Sequence, residues 1–387
     1  MCALCICSVK EGYGQTFNSG STGVDGPLTL TTPGTYTFDP VVMGLRPAIE
    51  NVFHFTTITI GDRVTVRLTS KALTGPVYWL AQGAVTITGT IDASGDPGTS
   101  TINIADRVPA VGGAGGYSGG VGELGSLART PGNGPGGRAG AGVFSGSQYL
   151  IPLTGGSGGG GQEQVGCGGP STPGGGGGGG AILIASSSTI TLNNTRSTTI
   201  NARGGDGGLR CGPGFGYGGS GGAVRLIAPA ITLPNFGAAI DVRGGTGQGG
   251  NGIVRLETLN LGFPSSGVVA GLLITSAPFM VIPPVTPPSA ITVTGLVVNG
   301  VTNPINVNPF SFPDATINAS GSVQVNVQAQ FIPLGTVPKV IVMSESGPDQ
   351  SVPCSSPLSG TFQLSTCTAS ITFPTGGSRG FVKATWQ

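Results

Sequence analysis

Gly174-Gly175-Gly176-Gly177-Gly178-Gly179-Gly180-Ala181-Ile182-Leu183-Ile184-Ala185 is the stretch that decides the fold. Seven residues without side chains run directly into an apolar strand phrase. The junction recurs: Gly221-Gly222 leads into Ala223-Val224-Arg225-Leu226-Ile227-Ala228, and Gly252 leads into Ile253-Val254-Arg255-Leu256. Between Gly112 and Gly252, 49 of 141 residues are glycine, too many for ordinary turns. A free linker has no reason to deliver its glycines to the same phrase three times, whereas a stacked, layered solid does.

Working outward, the phrase belongs to a longer repeat. Val77–Ala81, Val85–Ile87 and Ile91-Asp92-Ala93-Ser94-Gly95 form one copy. Ile182–Ala185, Thr189–Leu192 and Ile200-Asn201-Ala202-Arg203-Gly204-Gly205 form the next. Arg225–Ala228, Ile231–Leu233 and Ile240-Asp241-Val242-Arg243-Gly244-Gly245 form the third, and Val254–Glu257 opens a partial fourth. Three short strands joined by tight turns make one coil of a parallel β-solenoid, with like apolar positions stacked as a ladder. Upstream, Thr29–Thr31 and Thr35–Phe38 alternate around Pro33-Gly34. Phe55–Ile60 and Val64–Leu68 flank Gly61-Asp62 and read as successive rungs.

The excursions between copies are glycine-rich, the longest spanning about residues 96 to 180. Runs such as Gly155-Gly156-Ser157-Gly158-Gly159-Gly160-Gly161 suit a three-residue-per-turn extended helix of the polyglycine II kind, packed side by side through main-chain bonds. Ordering glycine costs more entropy than ordering any other residue. Apolar anchors among the glycines favour order over a linker. Tyr117, Phe144, Tyr149, Phe215 and Tyr217 are also the candidates for a loop contact surface.

A proline-rich connector (263–288) follows, with Pro283-Pro284 and Pro287-Pro288. Beyond it the pattern changes. Val323, Val325, Val327, Ala329 and Phe331 alternate with Gln324, Asn326, Gln328 and Gln330, a half-buried antiparallel strand. Roughly seven such strands predict an immunoglobulin-like β-sandwich without the diagnostic Cys…Trp…Cys spacing. The expected fold is therefore all-β with four parts: a strand-and-turn segment (1–54), a glycine-rich β-solenoid (55–262), the connector, and a β-sandwich (289–387).

Charged residues make up 9% of the chain and the net charge is +1. Ordinary soluble proteins carry roughly 25% charge. Nucleic acid and anionic membranes have nothing to attract them here, while low charge permits self-association. No stretch is long and apolar enough for a membrane span; Gly267–Ile282 is short and interrupted by Ser276 and Pro278. The apolar N-terminus, Met1 to Val9, reads either as the remnant of a signal peptide or as an ordinary terminus.

Seven cysteines include two pairs suited to disulfides, Cys354 with Cys367 and Cys167 with Cys211, which fit an extracellular or cell-surface location. His54 is the sole histidine, which argues against zinc and against a Ser-His triad. No Gly-Lys-Ser/Thr exists, so the phosphate-loop reading fails, and no cofactor is expected. Asp92, Asn201 and Asp241 hold equivalent places in the three copies, with Ser94, Arg203 and Arg243 two residues on. That column suits a polar ladder closing turns; it is also the best case for a polysaccharide lyase or hydrolase. Val268, Leu272, Leu273, Ile274, Phe279 and Ile282 are candidates for an inter-subunit strand or for a cap on the solenoid.

The phrases Gly179–Ala185 and Gly218-Gly219-Ser220-Gly221-Gly222-Ala223-Val224-Arg225-Leu226-Ile227-Ala228 resemble glycine-rich secreted surface proteins of environmental bacteria, over roughly residues 55 to 260. That resemblance implies β-solenoid coils and no particular activity. In composition alone the glycine runs are similar to the polyglycine II tip adhesins of bacteriophage tail fibres. Neither likeness carries a catalytic residue over. Together these readings predict a non-enzymatic extracellular fibre subunit whose partners are copies of itself. Alternatives are an adhesin for a surface glycan and the polysaccharide-active enzyme.

Overall fold

The computed structural model describes residues 17–45, 51–73, 75–101, 103, 106–163, 165–166, 170–209, 216–234, 239–259, 269–278, 281, 290–305, 314–317, 321–330, 332, 334–344, 349–361, 364–373 and 378–385. Strands but no α-helix occur among them, so the described chain is all-β. It follows that no described helix is long and apolar enough to cross a membrane.

The first part is built on three parallel sheets. Sheet 1 runs Val52–Phe55, Val77–Ala81, Ala181–Ser186, Ala223–Ala228, Ile253–Thr258, Leu272–Ser276. Sheet 2 runs Leu28–Leu30, Ile58–Ile60, Val85–Ile87, Thr189–Leu192, Ala230–Thr232. Sheet 3 runs Gly34–Thr37, Val64–Arg67, Thr90–Asp92, Ile200–Asn201, Ile240–Asp241, Val269–Ala270. From Val52 to Asp241 the chain visits sheets 1, 2 and 3 in turn, so each of these circuits lays one strand on every sheet. Glycine-rich excursions leave after sheet 3, at Ala93, Ala202 and Val242, and return to sheet 1 at Ala181, Ala223 and Ile253.

Register turns the repeat into continuous apolar columns. In sheet 1, Phe53, Trp79, Ile184, Leu226 and Leu256 stack on one another. In sheet 2, Ile58, Val85, Ile190 and Ile231 do so. In sheet 3 the column is Tyr36, Val66, Ile91, Ile200, Ile240 and Val269. These columns meet in one core cluster. At its N-terminal end the filling is aromatic: Phe38 lies 5.0 Å from Phe53 and 5.1 Å from Trp79, ring centroid to centroid. Each buried side chain removes apolar surface worth about 1.5–3 kcal/mol from water, and a column shares that gain along its length.

Two features differ from the sequence expectation. Ile58–Ile60 and Val64–Arg67 are not rungs of one sheet; they are adjoining sides of one circuit. The Gly61-Asp62-Arg63 corner, with Arg63 at φ 58°, turns the chain between sheets. Parallel neighbours in one sheet need a crossover of roughly a dozen residues or more, and three cannot supply it. The second feature lies upstream: Leu28–Leu30 and Gly34–Thr37 pair in parallel with Ile58–Ile60 and Val64–Arg67, ahead of the expected boundary at residue 55.

Within the expected connector, Val269–Ala270 and Leu272–Ser276 pair in parallel with sheets 3 and 1; from Ala290 onward the sheets are antiparallel. One orders Val301–Pro304, Ala290–Val298, Gly321–Gln330, Ser365–Phe373, Ser359–Gly360; the other orders Ala315–Ile317, Ser378–Thr385, Lys339–Ser344, Gln350–Pro353. Val323, Val325, Val327 and Ala329 are buried, and both sheets contribute to one apolar cluster. The Cys354–Cys367 disulfide sits in that cluster, its Cα atoms 6.0 Å apart. It joins the strand Ser365–Phe373 to the segment leaving Gln350–Pro353, and so ties the two sheets together.

Candidate functional site

The glycine excursions form a stack bonded through the main chain. Along Gly174–Gly180 successive N–H groups point to three neighbours in rotation. Gly174, Gly177 and Gly180 donate to the carbonyls of Thr99, Asp96 and Ala93 at 2.8, 2.9 and 2.7 Å. Gly175, Gly178 and Ala181 donate to Gly120, Tyr117 and Ala114 at 2.8, 2.7 and 2.7 Å. Gly176 and Gly179 donate to Tyr217 and Ser220, both at 2.9 Å. Two more segments donate inward: Gly156 to Gly179 and Gly159 to Gly176, then Gly205 to Gly177 and Gly208 to Gly174. The period is three residues, and the central run is enclosed on five sides.

Only glycine allows that spacing. A Cβ on Gly175 would overlap the Gly159 carbonyl oxygen, one on Gly176 that of Gly205, and one on Gly178 that of Gly156. The whole run is buried. The entropy lost in ordering it is offset by hydrogen bonds that a wider spacing would break.

The aromatic loop residues play several parts. Tyr117 is half-buried against Gly134, and burial pushes its hydroxyl pKa up. Phe144 packs on the apolar cluster outside sheet 1. Tyr217 is half-buried, its carbonyl accepting from Gly176. Tyr149 is 56% exposed, with the Arg255 guanidinium 5.5 Å from its ring centroid. Phe215 lies outside the described residues.

Beneath Tyr149 is a feature that sequence reasoning did not single out. The strand Ala181–Ser186 is buried on both faces, the outer one packing with Leu150 and Leu153. On this outer face Arg225 and Arg255 stack in register, and both donate from Nε to Oε1 of Glu257, at 2.9 and 2.7 Å. Arg225 and Glu257 are fully buried, and Nη2 of Arg225 has no hydrogen-bond partner among the described residues. Arg255 also donates to Ser276 Oγ at 2.8 Å. Neighbouring Tyr78 stays neutral: burial pushes its hydroxyl up to about 12, against the opposing effects of a Leu153 backbone hydrogen bond and the Arg225 charge. Two cations on one anion in an apolar layer are costly to bury, and costlier to leave unpaired. The sequence signal was a charge inside an otherwise apolar strand phrase, where double-sided burial demands a partner.

The polar column of sheet 3 is in register, Asp92 with Asn201 and Asn201 with Asp241. Each Oδ1 accepts the N–H two residues on: Ser94 at 3.1 Å, Arg203 at 3.3 Å and Arg243 at 3.0 Å. The motif is an Asx turn repeated once per circuit. Arg67 bridges Asp92 and Asp96, both at 2.7 Å, and donates to Ser94 Oγ at 2.8 Å. Asp241 is bonded by both Nε and Nη2 of Arg243, which raises the arginine's pKa. These carboxylates are engaged in turn closure and ion pairing. His54 is held similarly, its Nδ1 accepting the Thr22 N–H at 3.1 Å. No group of three or more His, Cys, Asp or Glu suited to a metal ion occurs among the described residues.

Leu272, Leu273 and Ile274 lie on the last strand of sheet 1, paired on one side with Ile253–Thr258. Leu272 is 54% and Leu273 41% exposed, while Ile274 is half-buried. Val268, Phe279, Ile282, Cys167 and Cys211 lie outside the described residues. Comparison of the chain with family models, with curated proteins and with solved structures gives no match.

Proposed function

We propose that this chain is a non-enzymatic extracellular structural protein, a subunit of a self-assembling surface fibre. In this reading the three-sheet body is a parallel β-solenoid, the glycine stack is a polyglycine II bundle, and the antiparallel unit is an immunoglobulin-like sandwich. The carrying observation is the last strand of sheet 1, Leu272–Ser276. Among the described residues it is an edge of a six-stranded sheet, and it carries two exposed leucines. An exposed apolar edge is a template for another chain unless it is blunted by charge or proline, and this strand holds neither. Low overall charge and a disulfide of the kind found outside the cytosol support the same reading.

The test is assembly against concentration. Light scattering and negative-stain images of the purified chain are expected to show filaments that grow with concentration. Leu272→Lys, at the more exposed of the two leucines, is expected to leave monomers with an unchanged melting temperature. Monomers at every concentration in the unaltered chain would overturn the proposal.

A further inference from the structure

Sheet 2 presents a column of threonines to solvent. Thr29 pairs with Thr59, Thr59 with Thr86, Thr86 with Thr191 and Thr191 with Thr232, through five strands with no break in register. Their flanking residues point inward: Ile58, Ile60, Val85, Ile87, Ile190 and Leu192 are all fully buried in the core. The five hydroxyls therefore line one outer face. None of these hydroxyls has a hydrogen-bond partner among the described residues, whereas that of Thr88, just past the end of its strand, donates to the Ile60 carbonyl at 3.2 Å. Adjacent strands set the hydroxyls about 4.8 Å apart.

That face has a specific chemistry. Its strands read Leu-Thr-Leu, Ile-Thr-Ile, Val-Thr-Ile, Thr-Ile-Thr-Leu and Ala-Ile-Thr, with no charge and no aromatic ring. A protein partner is ordinarily gripped by aromatic or arginine anchors, a polynucleotide by cations, and a sugar ring by an aromatic face. What remains is a regular array of hydroxyls, each able to donate and accept, with a methyl beside each and a stiff χ1 holding it in place. A repeating array selects a partner that repeats. The strand spacing is close to the repeat of water oxygens in a face of ice, and methyls suit the gaps between such oxygens.

We infer that the threonine face of sheet 2 binds the surface of ice. This goes beyond the fibre reading and uses a different face from Leu272–Ser276. The test grows ice slowly from a supercooled solution of the full chain and measures the protein in ice and liquid. The chain is expected to concentrate in the ice and to slow recrystallisation. Thr86→Lys with Thr191→Lys, at the middle of the column, is expected to abolish both effects. The melting temperature and fibre formation should stay as in the parent. Thr86→Val, which keeps the shape and removes one hydroxyl, serves as the variant that cannot fail to fold by crowding, and it is expected to weaken both effects. Exclusion of the parent chain from ice would overturn the inference, as would equal partitioning of the lysine variant. Binding to crystalline cellulose or chitin in place of ice would overturn it too, by giving the face to a glycan.

Discussion

The three-sheet body and the glycine stack share one chain and obey opposite rules. In the body, side chains do the packing: Phe53, Trp79, Ile184, Leu226 and Leu256 fill a column, and strands stand apart by the width that their ladder bonds set. In the stack no side chain intervenes, and main chains approach until carbonyls occupy the space where a Cβ would be. The first arrangement tolerates a change of shape at constant volume. The buried centre of the second tolerates no added atom.

The largest expected effect breaks the stack. Gly178→Ala would drive a methyl into the Gly156 carbonyl, backbone against backbone, with buried glycine on either side. A loss above about 5 kcal/mol is expected, read as failure to fold or as collapse of the urea midpoint. Gly140 is the internal control, because a Cβ there meets nothing nearer than Arg138 Nε at 3.8 Å; Gly140→Ala should cost no more than about 0.5 kcal/mol. In the body, Ile184→Val should cost only about 1 kcal/mol. Similar losses for Gly178→Ala and Gly140→Ala would erase the distinction.

A second change probes the layer between the two regions. Glu257→Gln leaves Arg225 and Arg255 buried without their anion. The expected loss is about 3–5 kcal/mol, measured by denaturant titration. Replacing all three residues by apolar ones of similar volume should restore most of it. No recovery in that triple variant would show that the ion cluster holds the covering segment in place by its charge.

The smallest effect lies in the antiparallel unit. Burial pushes the Asp314 carboxyl up to about 6, although it accepts the Val382 N–H at 3.0 Å and sits near Lys383. Burial pulls Lys383 down to about 8. A carboxyl raised in the folded state contributes stability that is full below its ordinary value of 3.8 and is lost as pH rises through 6. A lysine lowered in the folded state contributes above 10.5 and loses that contribution as pH falls through 8. The pair therefore stabilises least between pH 6 and 8. Calorimetric melting from pH 7 to 4 should show a rise in the parent relative to Asp314→Asn, and parallel curves would contradict this assignment.

Much of this architecture can be read from local pattern, and the remainder follows from physics that pattern does not carry. The repeated phrase places Asp92, Asn201 and Asp241 at like positions, and they stand in register because a period of two fixes which side chains face inward. The Cys354–Cys367 pair is close in sequence and is formed. Alternation does not say which sheet a strand joins, so the corner at Gly61-Asp62-Arg63 reads equally as a rung change or a side change. Nor does it reveal what covers a sheet from outside. Arg225, Arg255 and Glu257 become a cluster only through strand pairing, on a face where Leu150 and Leu153, distant in sequence, also pack. The threonine column stayed hidden for the same reason: its members are scattered from Thr29 to Thr232, and only the pairing aligns them.

Every glycine excursion departs from one corner of the body and comes back to the same corner, whatever its length. Rung geometry is thus indifferent to how far the polypeptide travels before the next turn. That corner works as a splice point: a foreign peptide inserted there would lengthen a detour and leave the ladder's arithmetic unchanged, so the scaffold can acquire new reach without being redesigned.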